Sequence, residues 1–216
     1  MEFRLLGFPV TIETSAFILA GVYFLFGLQR QDPMLENVAG VLVIFGSILW
    51  HEFGHALSAK AFGLGPISIT LHGFGGLTQH ARAGTAWRDL LVILAGPGAG
   101  LFLGMGALIA GLLVPMDGLL GAIWNQLVFV NIFWSLFNLL PIFPMDGGQA
   151  LNAVLRMTFP SWAWPVTIWL GLGGGAALAA LALYNGSFFM VMMAGTMIQN
   201  NWSLRQRWNA AMANRG

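Results

Sequence analysis

The chain has 216 residues, 57% of them hydrophobic and 8% charged, with a formal net charge of +1. A soluble domain carries about a quarter charged residues, so this composition excludes an ordinary soluble globular protein, and no basic stripe points to nucleic acid. There is no cysteine, which removes disulfides, thiolate metal ligands and a thiol nucleophile.

A bilayer core about 30 Å thick takes roughly 20 apolar residues per helical span. In chain order, Leu5 to Glu13 is β-branched near its end and reads as a short strand at the membrane surface. No signal-peptide cleavage pattern follows the first apolar run, so residues 15–28 are expected to be a retained first span. Residues 29–37 form a polar connection, and residues 38–62 a second span. Gly63-Leu-Gly-Pro66 breaks that helix. Ile67–Leu71 and Leu77–His80 then read as a hairpin or two short strands, joined by a glycine-rich turn. Open strand edges are not tolerated against lipid, so this piece must line a cavity, meet water or pair with the first strand.

Further spans are expected at 87–114, 119–140, 165–183 and a shorter one at 188–199, followed by a polar tail, 201–216, with the character of an interfacial helix. The expected fold class is therefore an all-α polytopic membrane protein. It has about six transmembrane helices, a short membrane-associated β-sheet or hairpin, and one membrane domain over residues 1–200. Six spans put both termini on one side, together with Arg4, Lys60, Arg82, Arg88, Arg156, Arg205, Arg207 and Arg215, and leave Arg30 alone on the other. The positive-inside rule then places both termini in the cytoplasm, in a multi-pass protein of the cell membrane.

The second span carries His51-Glu52-Phe53-Gly54-His55 near its far end. Helix positions four apart lie almost over one another, so the two imidazoles share a face at the spacing that grips zinc. Glu52 can take the proton of a water there. The chain has four His and eight acidic residues in all, and three of these twelve fall in this pentad. An ionised side chain deep in a bilayer costs about 2.5–3.5 kcal/mol even on lenient scales, so a divalent ion would offset the carboxylates. A catalytic zinc has three protein ligands and an open position. Asp146 follows the fourth span at the same expected depth and is the best-placed third ligand. The implied chemistry is peptide-bond hydrolysis with one catalytic Zn2+ and Glu52 as base. Pro141 and Pro144 stop the helix before Asp146, so that segment is expected to line a wet cavity. Asn138 is either a helix-end cap or a group that holds substrate backbone or an oxyanion.

His51-Glu52-Phe-Gly-His55 on one span, with Asn138-Leu-Leu-Pro-Ile-Phe-Pro-Met-Asp146-Gly147 after another, resembles the site-2 protease family of intramembrane zinc metalloproteases. The resemblance runs from the N-terminal strand to about Leu151. It implies His51, His55 and Asp146 as zinc ligands, Glu52 as the catalytic carboxylate and Asn138 as a substrate contact. It also implies cleavage of single-span membrane proteins in regulated intramembrane proteolysis. Two departures stand out. Gly96-Pro97-Gly98-Ala99-Gly100 replaces the family's frequent G-P-x-x-N pattern, and the connections are too short for a PDZ or CBS domain of ~50 residues or more.

A transmembrane substrate must unwind before its backbone can be cut, and an exposed strand edge offers replacement partners. The two strands after the metal helix are candidates, with Gly73, Gly75 and Gly76 allowing close approach, against the plainer reading of a surface hairpin. His72 and His80 are turn-borne and read as solvent-facing rather than metal-binding. The glycines at 96, 100 and 104 and at 171–175 read as helix packing, with a dimer face as the lesser alternative. Two other classes of function compete with the protease: a non-catalytic binder of membrane proteins, which has no need of Glu52, and a membrane metal carrier, which would want ionisable groups through several spans.

Overall fold

The structure is a computed structural model that describes residues 1–73, 75–114 and 116–213, apart from the Phe189 side chain. Arg215, counted above with the cytoplasmic charges, lies outside the described residues. The chain divides into two compact units, Met1–Ala83 with Ala95–Phe137, and Gly84–Leu94 with Asn138–Gly216.

The first unit opens with two strands where the sequence suggests one. β1 (Glu2–Leu5) and β2 (Phe8–Ile12) pair antiparallel around Leu6 and Gly7, both at positive φ. That backbone twist matches the twist of two antiparallel strands joined by two residues. Two helices follow, α1 (Thr14–Gln29) and α2 (Met34–Ala61). The chain then returns as β3 (Ser68–His72), which lies parallel to β2, and β4 (Gly75–Gln79), antiparallel to β3. The sheet order is β1-β2-β3-β4. Of the three fates open to the hairpin, it takes the pairing with the N-terminal strand.

Alternation explains what the sheet covers. Phe8 and Val10 on β2, with Ile69 and Leu71 on β3, point to one face and bury themselves against Ile48, Phe53 and Ala56 of α2. The sheet is thus docked on the stretch of α2 that carries the pentad. The end of α2 is closed by glycine. Gly63 takes φ +70, its N–H bonds the Lys60 carbonyl at 3.0 Å, and the Leu64 N–H bonds the Ala59 carbonyl at 3.0 Å. This pair of bonds satisfies carbonyls that the helix end leaves over.

Within the same unit, α2 packs against the later part of α3 (Ala86–Leu113) and against α4 (Gly118–Asn138). Gly54 has no side chain because a Cβ there would strike the Ala95 carbonyl, so the two backbones touch. Trp50 Nε1 donates to the Ala99 carbonyl at 2.9 Å, and Asn131 Nδ2 donates to Ser47 Oγ at 2.8 Å. These bonds tie the three helices, and the second is buried, where an unmet polar group is costly.

The second unit contains a helix the sequence does not announce, α5 (Asp146–Thr158), then α6 (Pro160–Tyr184) and α7 (Phe188–Ala213). The expected short sixth span and the polar tail are, over the described residues, one continuous helix. Among the described residues four helices are long and apolar enough to cross a membrane: α2, α3, α4 and α6. α1 is apolar but shorter. The fold is mostly helical with a small four-stranded sheet.

Candidate metal centre

His51, Glu52 and His55 come from two turns of α2, and their ligand atoms all lie within 4.8 Å of one another. All three side chains are buried, at 4%, 4% and 8% exposure. The two Nε2 atoms are 3.1 Å apart and the rings meet edge to face. Two nitrogens each ~2.0–2.1 Å from one tetrahedral zinc sit about 3.3 Å apart, so the imidazoles already stand at nearly that separation. Gly96 on α3 supplies the room: a Cβ there would collide with His55 Nε2.

The sheet shapes the other side. Thr78 Oγ1 on β4 donates to Glu52 Oε2 at 2.7 Å. Gly76 lies against the same carboxylate, and a Cβ on it would come within 2.6 Å of Glu52 Oε1. Gly75, next along, packs near the Trp134 ring of α4. Of the two turn-borne histidines, His72 ends β3, and His80 Nδ1 donates to the Ala81 carbonyl at 2.7 Å. Among the described residues neither belongs to the ligand group on α2.

The remaining predicted residues belong to the second unit. Asp146 is buried at 9% exposure and is the first residue of α5, where a carboxylate meets the positive end of the helix. Its loop is tightly folded. Gly147 and Gly148 have no side chains because a Cβ on the first would strike the Leu139 carbonyl, and on the second the Phe143 backbone nitrogen. Gln149 Nε2 donates to the Pro144 carbonyl at 3.0 Å. Asn201 on α7, fully buried, donates to the Phe143 carbonyl at 2.6 Å and fits a gap left by Gly171 of α6. Ile142 fills the gap at Gly174. The glycine-rich run of α6 is thus a seat for the loop that carries Asp146, which supports the intramolecular packing reading. Asn138 is the last residue of α4 and is half-buried.

No protein-family model matches the chain. A Synechocystis protein named as a zinc metalloprotease is 31% identical over 91% of this chain and 57% of its own length. Zinc metalloproteases so named in Mycobacterium tuberculosis and Methanocaldococcus jannaschii are 32% and 29% identical, over 70% and 73% of this chain. The stage IV sporulation protein FB of Bacillus subtilis is 28% identical over 63% of it. Over most of its length this chain is therefore similar to proteins named as zinc metalloproteases.

The fold agrees. A solved site-2 protease from Methanocaldococcus jannaschii superposes with a TM-score of 0.72 over 94% of each chain, at 20% identity. The chain spans a little over half the length of the Synechocystis relative, at 57%. With four membrane-length helices among the described residues and the fold of a site-2 protease, it is a multi-pass membrane protein. Zinc is the ion in those relatives' names, and the donors here fit it: two buried imidazoles at ligand separation, a carboxylate beside them and a gap that a methyl group would fill.

Thr78 and Asn201 have no local signature in the sequence, and Gly96 reads there only as helix packing. Each acquires its role from a partner distant along the chain.

Proposed function

We propose that this chain is a zinc-dependent intramembrane endopeptidase that hydrolyses peptide bonds within or near transmembrane segments of other membrane proteins. The observation that carries this reading is the pair of buried imidazole nitrogens 3.1 Å apart beside the Glu52 carboxylate, on a helix of membrane-crossing length. His51 and His55 would hold the ion, with Asp146 as the third protein ligand. When bound, zinc supplies Lewis acidity to the scissile carbonyl and to the attacking water. Glu52 takes the proton from that water and passes it to the leaving amine. No side chain forms a covalent acyl intermediate.

The substrate class follows from the setting. A buried site beside lipid is served by proteins already in the membrane, and single-span substrates have the fewest contacts to lose on entry. Their helices must open before a carbonyl is reachable. β4 ends the sheet and presents an unpaired strand edge on which an opened segment can add, with Gly75 and Gly76 leaving room for its backbone. Asn138 is assigned a contact to substrate backbone.

Six spans, with α1 and the apolar half of α7 joining the four long helices, fit the charge asymmetry and put both termini in the cytoplasm of a cell membrane. The chain has no cysteine, so single cysteines placed at Ala83 and Ser187 and labelled from outside intact cells test this: only the second should react.

The decisive experiment is Glu52→Gln. The variant should keep its zinc and lose cleavage of a co-expressed single-span membrane protein by ~10²–10⁴-fold, the usual reach of a general base. Cleavage by the variant at the wild-type rate would remove Glu52 as the base, and a wild type that leaves the substrate intact would overturn the endopeptidase reading.

A further inference from the structure

β4 presents two different things to Glu52. Successive strand residues point to opposite faces, so Gly76 and Thr78 share the face toward α2 while Leu77 and Gln79 point away. Gly76 contributes the absence of a side chain beside Oε1, and Thr78 contributes a hydroxyl to Oε2. The same hydroxyl lies 3.1 Å from the Glu52 backbone carbonyl. A hydroxyl has one proton, and the shorter, charge-assisted contact at 2.7 Å is where it goes.

The register that delivers this hydroxyl is well fixed. Thr78 pairs with Ile69, which is fully buried and pairs in turn with Val10 of β2, also in the core. A slip of one residue would turn the buried face of β3 outward and bring Leu77 or Gln79 to the carboxylate. A glutamate side chain has three rotatable bonds, and ordering it costs rotamer freedom. A base that must meet a water at a fixed place gains from having one oxygen held in advance.

We propose that Thr78 is the positioning residue for Glu52: its hydroxyl holds Oε2, so that Oε1, on the side cleared by Gly76, carries the proton. This rests on the endopeptidase reading above and goes beyond it, because it assigns the orientation of the base to the sheet rather than to its own helix. It also means that the strand expected to receive substrate is the strand that aligns the base.

Thr78→Val removes the hydroxyl at nearly constant volume, and Thr78→Ser keeps it. Both variants and the wild type, as full chains in detergent, are assayed with a single-span peptide carrying a fluorophore and quencher across its membrane segment. Zinc content and the infrared carboxylate stretch that vanishes in Glu52→Gln are followed in parallel. Thr78→Val should lose about 10-fold or more in kcat, with KM within about twofold and zinc retained, and its Glu52 carboxylate band should shift. Thr78→Ser should recover most of the rate and the wild-type band. An unshifted band, an unchanged kcat, or a serine variant no better than valine would each overturn the assignment. A wild type that binds zinc and leaves the peptide intact would instead defeat the endopeptidase reading, and the infrared band would still decide whether Thr78 holds Glu52.

Discussion

The pentad on α2 and the loop before α5 are two ways of fixing an ionisable group in a membrane protein. On α2 the groups are four residues or fewer apart and the helix itself sets their spacing. Their neighbours only trim the space, through Gly96 and Gly76, or hold an oxygen, through Thr78. Asp146 has no such scaffold of its own. Its loop is folded back on itself over two glycines, and is pinned from outside by an asparagine 58 residues beyond the carbonyl it holds. The first region is robust in sequence and local in space. The second depends on distant parts of the chain fitting together, and should respond to substitutions that touch no ionisable group.

Substitution at the ligands is the sharpest break. His51→Ala or His55→Ala should take bound zinc from one ion per chain to none after dialysis against a weak chelator, measured by atomic emission. Near-stoichiometric zinc in either variant would contradict the assignment of the pair.

Gly96→Ala tests whether the pentad needs its neighbours. The added methyl collides with His55 Nε2, so zinc affinity in chelator competition should fall roughly 10–100-fold, the usual cost of disturbing a ligand's surroundings. Unchanged affinity would mean that the helix alone suffices.

Asn201→Leu asks the same of the loop. It takes away the donor 2.6 Å from the Phe143 carbonyl, and a buried acceptor left unmet costs about 1–3 kcal/mol. The variant should unfold earlier in a denaturant titration. If Asp146 is a ligand, it should also bind zinc more weakly, although no metal-binding group is altered. A drop in stability with full zinc affinity would separate the loop from the metal.

The smallest effect is expected at Arg156, whose guanidinium meets Asp89 at 2.8 Å in the same unit. The arginine is more than a third exposed, and exposed ion pairs contribute about 0–1 kcal/mol. Arg156→Gln should leave zinc affinity unchanged and move the unfolding midpoint little.

What could be read from the sequence follows the same division. The pentad is visible because helical periodicity makes a spatial claim from a spacing of four. The long apolar helices are visible because a bilayer fixes their length. α5 escapes notice because it is short, has two glycines directly after its first residue and lacks the apolar run that marks a span. The continuity of α7 is hidden by a change of composition near Gln199: apolar turns give way to polar ones, yet neither glycine nor proline interrupts residues 196–213. Polarity changes what surrounds a helix without ending it. Asn201, in what reads as a polar tail, is fully buried. Thr78 is illegible for another reason, since its meeting with Glu52 depends on a strand register fixed by Ile69 and Val10.

α7 runs for 26 residues without a break, a rod of roughly 39 Å. One turn beyond Asn201 on the same face, Arg205 lies stacked on the rings of Trp169 and Trp202. The two are joined by rigid backbone with no hinge between them. One helix therefore fixes a ring-stacked cation and a buried amide a single turn apart, and the carbonyl that the amide holds sits three residues before an aspartate.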